Sequence, residues 1–196
     1  MAAEKINSRK IQAEATKNKI YKTAIKLMEQ KGFNNMKIDD ICTKAGVSVG
    51  SFYNYFKSKD DILIEIYKRG DVYFEETVRP NVKGKCAVEN IIDYFEYYAK
   101  YNELTGVETA KQLFASANKL YISKGRNMQA VLTEIIKIGQ ENDEIIKDYE
   151  PEGITEYLFI AARGLCYDWA SHDGSYNLRE GMRKYMKLLV QIFAAK

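Results

Sequence analysis

The sequence predicts an all-α fold. The chain of 196 residues contains only two prolines, and it is rich in lysine, glutamate, isoleucine and alanine, which favour helix. Apolar residues also recur three and four positions apart, which is the period of a helix with one buried face. Because the chain weighs 22.6 kDa, it can bury a core without the help of disulfides.

The first two predicted helices each end at a glycine, Gly32 and Gly46. Gly46 can adopt the left-handed conformation that closes a helix, and the helix before it is barely two turns long. Both helices carry apolar stripes at helical spacing: Ile20, Ala24, Leu27 and Met28 in the first, and Ile38, Ile41, Cys42 and Ala45 in the second.

Two further helices follow, each with a serine at its predicted start. Ser48 is expected to cap the third helix and Ser58 the fourth. Asp60 and Asp61 fall in the first turn of the fourth helix, where they favour the positive end of the helix dipole. The fourth helix is expected to run to about residue 79 and to stop at Pro80.

Charge is distributed unevenly along the chain. Residues 1–70 contain 14 lysines and arginines against 8 aspartates and glutamates, a balance of +6, whereas the remainder contains 16 against 19, a balance of −3. A basic first third is typical of a protein that presents one end to a polyanion such as DNA.

The sequence gives no sign of secretion or membrane insertion. The charged amino end lacks the apolar segment of a signal peptide, and no apolar run is long enough to span a bilayer. Cys42, Cys86 and Cys166 are odd in number and far apart, which favours core thiols in a reducing compartment over disulfides or a metal site. We expect a cytoplasmic protein without a cofactor or a metal.

Residues 38–56 have the layout of a helix-turn-helix. Two short helices flank the tight turn A-G-V-S, and the second is rich in small polar and aromatic residues, which suits the major groove of DNA. The stretch from Thr16 to Ile64 resembles the amino-terminal signature of TetR/AcrR-family transcriptional regulators. The resemblance is most specific between Ala45 and Lys59, where the sequence reads AGVSVGSFYNYFKSK.

The resemblance implies that the third helix reads DNA, with Phe52 and Phe56 facing the core. By chemical type, Ser51 and Asn54 can hydrogen-bond base edges, Val49 can touch a thymine methyl group, and tyrosine hydroxyls suit phosphate oxygens. Two alternatives stay open at this point: Val49 belongs to the core, or one tyrosine packs instead of contacting DNA. The predicted DNA-contacting residues are Lys37, Ser48, Val49, Gly50, Ser51, Tyr53, Asn54, Tyr55, Lys57 and Lys59.

One position departs from the family pattern. The family usually has a threonine where this chain has Lys37, and that hydroxyl caps the second helix. Losing such a cap costs about 1 kcal/mol of local stability. Lys37 can still reach a phosphate, as can Lys57 and Lys59, the last of which is helped by the dipole of the fourth helix.

Five more helices are predicted after a linker at residues 81–85, which gives nine in total. Capping boxes at Thr105 and Asn177 indicate two of the starts, and Pro151 suits a first helical position. As in the TetR family, we expect a DNA-binding domain at residues 1–58 and a ligand-binding and dimerisation domain at 59–196. The five helices are predicted at 86–102, 106–121, 125–139, 151–171 and 177–195.

The last two helices carry more apolar surface than one partner helix covers. In the family that the chain resembles, these helices pair with their copies across a two-fold axis. A homodimer also places two recognition helices about 34–36 Å apart, which matches a palindromic operator. The predicted interface consists of Leu158, Ala161, Leu165, Met182, Met186, Leu189 and Phe193.

The second domain is unusually aromatic. Aromatic residues at helical spacing are more often core than binding site, yet so many tyrosine hydroxyls suit a cavity for an apolar or planar ligand. Candidate effectors are lipophilic or aromatic molecules, including cationic ones. The predicted pocket consists of Phe95, Tyr98, Phe114, Tyr121, Leu132, Ile136 and Trp169.

These features predict a transcriptional regulator, and more specifically a repressor that a small molecule releases from its DNA operator. The rival classes are a small helical enzyme and a DNA-binding protein that senses a protein partner and lacks a ligand cavity. The single histidine, His172, lies at an apparent helix end, and the sequence contains no P-loop or HExxH motif. We therefore expect no enzymatic activity.

Overall fold

The computed structural model describes residues 2–114 and 125–195, which are helical apart from connecting turns and one isolated β-bridge. The all-α prediction is confirmed. Within these ranges nine α-helices are longer than one turn, as predicted. The chain divides into two compact units, Met1–Ile66 and Tyr67–Lys196.

The first unit contains three helices and the first half of a fourth, which continues into the second unit. All four contribute buried apolar side chains, including Phe52 and Phe56 as predicted. The bounds are Ala2–Lys31 for α1, Ile38–Ala45 for α2, Val49–Tyr53 for α3 and Asp60–Tyr73 for α4.

Glycines close the first two helices, as predicted. Gly32 and Gly46 have φ angles of 76° and 60°, which lie in the left-handed region that L-residues with side chains avoid. The Gly46 N–H donates to the carbonyls of Cys42 and Thr43. The end of α2 is therefore satisfied inside the tight turn that leads to α3.

The predicted Ser58 cap on α4 is wrong. The helix begins at Asp60, and the Asp61 carboxylate accepts the backbone N–H of Lys57 at 2.6 Å. A carboxylate inside the first turn therefore closes this turn, and it also sits favourably at the positive end of the helix dipole.

Helical structure continues past α4 through a π-helical turn at Phe74–Val78 and a short helix, α5, at Arg79–Asn81. Pro80 accounts for the π turn, because proline has no N–H and its ring collides with the carbonyl four residues earlier. The hydrogen-bond ladder widens there, and the Arg79 N–H donates to the carbonyl of Phe74. The helix was predicted to stop at Pro80, whereas helical structure extends one residue beyond it.

The second unit adds five longer helices, close to the predicted bounds. The part of the predicted 106–121 helix beyond Phe114 lies outside the described residues. A 3₁₀ turn, Val190–Ile192, extends the last helix. The bounds are Ala87–Thr105 for α6, Val107–Phe114 for α7, Asn127–Glu141 for α8, Pro151–Ser171 for α9 and Leu178–Leu189 for α10.

Two of the three predicted helix-start signals in this unit are confirmed. Pro151 opens α9, and the side-chain oxygen of Asn177 accepts the Glu180 N–H at 3.0 Å before α10. The capping box at Thr105 is wrong: Thr105 is the last residue of α6, and its hydroxyl donates to the Asn102 carbonyl at 3.0 Å.

The core of the second unit is built around aromatic rings. The Phe159 ring meets Tyr94, Phe95 and Tyr98 edge-on, with centroid distances of 6.1, 5.6 and 5.6 Å. Tyr94 is completely buried, and its hydroxyl donates to the Met128 carbonyl at 2.7 Å. Desolvation raises the pKa of Tyr94, so the hydroxyl stays protonated and remains a donor. Among the described helices, none combines the length and apolarity needed to cross a bilayer.

Candidate nucleic-acid interface

Hydrogen bonds at both ends hold α3 in place. At its start the Ser48 hydroxyl accepts the Ser51 N–H at 3.1 Å, as the predicted cap requires. At its other end the Asn54 N–H donates to the Gly50 carbonyl at 3.2 Å. Phe52 is fully buried beneath the helix, so this short helix is fastened to the first unit by its inner face.

The outer face of α3 carries the side chains for which DNA contact is predicted. Val49 and Tyr53 expose 41% and 52% of their surface, and the alternative that Val49 belongs to the core is wrong. The Tyr53 ring meets Phe52 edge-on, with a centroid distance of 5.6 Å. The remaining residues of this face are exposed, namely Ser48, Gly50 and Asn54, or half-buried, namely Ser51 and Tyr55.

A carboxylate binds the backbone at the start of α2. Asp40 accepts the backbone N–H of Lys37 at 3.2 Å, and it also pairs with the Lys31 ammonium. The pKa of Asp40 lies below its ordinary value. The main cause is the hydrogen bond from the Lys31 ammonium, and the second is the hydrogen bond from the Lys37 N–H. The Lys37 side chain itself is exposed, which leaves its ammonium available to a phosphate.

Lys59 has a structural role where a phosphate contact was predicted. Its ammonium donates to the Phe33 carbonyl at 3.0 Å and lies within 3.5 Å of the carbonyls of Asn34 and Met36. It also lies 4.6 Å from the centre of the Phe33 ring. These contacts occupy its donors, so Lys59 fastens the loop after α1 to the start of α4. Lys57 is exposed.

The residues predicted at the dimer interface mostly belong to the core of the chain itself. Leu158, Met182 and Met186 are fully buried and Phe193 is nearly so, because α10 packs against α6 of the same chain. Ala161, Leu165 and Leu189 are half-buried. The apolar side chains that α9 and α10 leave exposed are a neighbouring row, which we call the outer row: Tyr157, Ile160, Tyr167, Tyr185, Leu188 and Ile192.

The predicted pocket residues lie in or beside the aromatic core. Phe95 and Tyr98 contact each other, with ring centroids 6.2 Å apart, and the Trp169 indole N–H donates to the Tyr176 carbonyl at 3.1 Å. Phe114 is half-buried, and its ring meets Tyr167 edge-on. Leu132 and Ile136 are fully buried on α8, while Tyr121 lies outside the described residues.

Sequence reasoning missed a charged cluster that joins α4 to the start of α8, here called the α4–α8 latch: Tyr67, Asp71, Arg126 and Met128. Arg126 pairs with Asp71 at 3.3 Å, and Asp71 also accepts the Met128 N–H at 3.3 Å. The Arg126 guanidinium lies 4.6 Å from the centre of the Tyr67 ring and donates to the Tyr67 carbonyl at 3.0 Å. The partners are more than fifty residues apart in sequence, so no local pattern could have indicated them.

The first unit therefore has the geometry of a helix-turn-helix: two short helices, a tight turn and an exposed polar face on the second helix. This geometry is typical of a DNA-binding domain. Residues 20–66 match the family model described as "Bacterial regulatory proteins, tetR family". The chain belongs to the TetR family of transcriptional regulators.

Full-length similarity extends to curated regulators and solved structures. The chain is 24% identical over 182 residues to the fatty acid metabolism regulator protein of Bacillus subtilis, covering 87% of this chain and 92% of that one. It is 28% identical over 185 residues to the transcriptional repressor NicS of Pseudomonas putida, covering 88% and 84%. The crystal structure of the regulator FadR from Bacillus subtilis in complex with stearoyl-CoA shares the fold, with a TM-score of 0.76 at 21% identity over 88% of this chain and 96% of that one.

Proposed function

We propose that the chain is a repressor that binds a palindromic operator as a homodimer and is released by a small lipophilic or aromatic ligand. The observation that carries the proposal is the exposed outer face of α3, held in place by the Ser48 cap and the buried Phe52. Side chains fixed in this way can meet base edges without a large loss of conformational entropy.

Four residues on or directly after α3 have chemical roles in this proposal. Ser51 and Asn54 hydrogen-bond base edges, Val49 contacts a thymine methyl group, and the hydroxyl of Tyr53 donates to a phosphate. The exposed ammonium groups of Lys37 and Lys57 add phosphate contacts, which fix position without reading sequence.

The outer row of α9 and α10 is the proposed dimer surface. Ile160 and Leu188 expose 61% and 79% of their surface, and apolar side chains exposed in a row on one face of a protein are typical of a protein interface. The exposed Gly164 lies on α9 beside this row, and a Cβ added to Gly164 would meet no other atom within 4 Å. A second helix can therefore approach α9 closely there.

Changing Leu188 to glutamate tests the dimer surface. A charge in an apolar interface is costly, so the variant should be a folded monomer by light scattering while the wild type is a dimer. The matched control is Leu104→Glu, at an apolar residue near the end of α6 that exposes 67% of its surface; this variant should stay dimeric. A dimeric Leu188→Glu variant would contradict the proposed surface.

The proposed ligand site is the aromatic region that includes Phe95, Tyr98 and Trp169. The support comes from the chemistry of these side chains and from the related structure that contains stearoyl-CoA, a ligand with a long apolar chain. We propose that a molecule with a long apolar portion is accommodated there. The α4–α8 latch then offers a route from the ligand to α4, since α4 begins in the first unit and ends in the second.

Selection from a randomised duplex pool tests the proposed DNA binding. Purified wild type should enrich duplexes with two related half-sites about one helical turn apart, and Tyr53→Ala should enrich none. Stearoyl-CoA added to the complex with the enriched duplex should lower the affinity about 5- to 150-fold, the usual range of allosteric coupling. If the wild type enriches no duplex, the proposed function is wrong; if stearoyl-CoA has no effect, stearoyl-CoA is excluded as the effector.

A further inference from the structure

Three lysines form a row along the outer face of α1. Lys19, Lys22 and Lys26 are all exposed, and their spacing of three and four residues places them on one side of the helix. The opposite side is buried through Ile20 and Leu27. We call this surface the lysine row; it spans about 10 Å along the helix axis, the length of about three phosphates on one DNA strand.

Several carboxylates of the first unit are bound inside that unit and do not balance the lysine row. Glu65 is 6% exposed and pairs with Lys17 at 2.8 Å. Asp40 pairs with Lys31, and Asp61 accepts the Lys57 N–H. Glu65 and Asp40 are each paired with a lysine outside the row, and Asp61 binds a backbone N–H, so these three carboxylates are bound to other groups than the lysine row.

The lysine row begins next to the recognition helix. A Cβ added to Gly46, in the turn that leads to Ser48, would lie 3.6 Å from the Lys19 ammonium nitrogen. Lys19 therefore lies beside the turn whose next residue caps α3, and the row continues from there along α1. A duplex bound by α3 has a phosphate backbone on either side of the groove that the helix enters.

We propose that the lysine row contacts the phosphates of the same duplex that α3 reads, as a second DNA-contacting surface of the first unit. The inference rests on the proposed function. An ammonium group is a compact charge with rotatable donors, which suits contact with phosphate oxygens without requiring a particular base sequence. The row therefore adds affinity and salt dependence and leaves the sequence preference unchanged.

The test compares two charge-matched triple variants. K19Q/K22Q/K26Q removes the lysine row, and K83Q/K100Q/K137Q removes three exposed lysines of the second unit. Glutamine keeps a helix propensity close to that of lysine, and circular dichroism verifies that both variants are folded. Binding of a random-sequence duplex and of the selected duplex is measured over a series of salt concentrations.

The expected result is a smaller salt dependence for the lysine-row variant alone. The slope of log affinity against log salt should fall by about 0.9 for each lysine that contacts a phosphate, and the ratio of affinities for the selected and random duplexes should not change. If both variants show the same slope, the row acts only through net charge and the inference is wrong. If the wild type binds no duplex, the proposed function fails as well; if Tyr53→Ala weakens binding while the two triple variants match, only the lysine row is refuted.

Discussion

The two units of the chain use tyrosine in opposite ways. In the first unit Tyr53 stands on the outer face of α3 with about half of its surface exposed. In the second unit Tyr94 is completely buried, and its hydroxyl donates a hydrogen bond to the Met128 carbonyl of the same chain. Tyrosine is therefore accessible to a binding partner in the first unit and stabilises the core in the second. The surroundings of the side chain, and not the residue type, determine its role.

Truncation of a buried ring in the second unit should cost more stability than truncation of an exposed apolar side chain of the same unit. Phe159→Ala removes a ring that touches three other aromatic residues, and we expect a loss of about 3–5 kcal/mol in the free energy of unfolding. Urea unfolding measures this loss. The control Leu104→Ala, at an exposed apolar position, should change stability by less than about 0.5 kcal/mol; equal effects would break the contrast between core and surface.

Removing the hydroxyl group from each tyrosine in turn tests whether the two have different roles. Tyr94→Phe removes the hydroxyl that binds the Met128 carbonyl, which should cost about 0.5–1.5 kcal/mol of stability, the usual net contribution of one hydrogen bond. Tyr53→Phe should leave stability unchanged and weaken binding of the selected duplex. Thermal unfolding measures the effect on stability, and fluorescence anisotropy measures the effect on duplex binding. If both variants lost the same stability and the same affinity, the two tyrosines would not have different roles.

The turn before α3 should respond to a change of backbone freedom alone. At Gly46 the added Cβ would be in ordinary contact with Lys19, so Gly46→Ala tests the φ angle of 60° without a steric clash. We expect a loss of about 1–2 kcal/mol from placing a side chain in the left-handed region. Gly153→Ala, in α9, is the control, because its Cβ would meet no other atom within 4 Å and alanine favours helix more than glycine does.

The smallest expected effect is a gain. Lys37→Thr restores a hydroxyl at the start of α2, where the Asp40 carboxylate already binds the backbone N–H of residue 37. The new cap should add about 1 kcal/mol or less to the stability. Salt dependence of DNA binding should fall at the same time, since one phosphate contact is lost. If the variant is no more stable than the wild type, the contacts of Asp40 with Lys31 and with the backbone already stabilise the start of α2 and the hydroxyl adds nothing.

Much of the first unit could be predicted because its signals are local. The Ser48 cap, the left-handed Gly46 and the inward Phe52 all follow from residues within four positions of one another, so the sequence alone indicates which face of α3 is exposed. Lys59 is the exception. Its carbonyl partners lie 23 to 26 residues earlier, and a local sequence pattern cannot predict a contact over that separation.

In the second unit the helices could be predicted, but the side of each helix that is buried could not. Both α9 and α10 have two apolar rows, and the periodicity does not tell which row packs on α6 and which remains exposed. The more apolar row, with Leu158, Met182 and Met186, was predicted at the dimer surface, and it is the one that is buried within the chain. Packing between distant helices decides this choice, as it does for Asp71 and Arg126.

The sequence preference of the Asn54→Ala variant shows whether the outer face of α3 reads base edges. Affinities are measured for the selected duplex and for a random duplex, with Asn142→Ala as the control at an exposed asparagine of the second unit. If the Asn54 amide binds a base edge, Asn54→Ala should lose about 1–3 kcal/mol of discrimination between the two duplexes, while the control keeps it. Full discrimination by the Asn54→Ala variant would contradict this base contact.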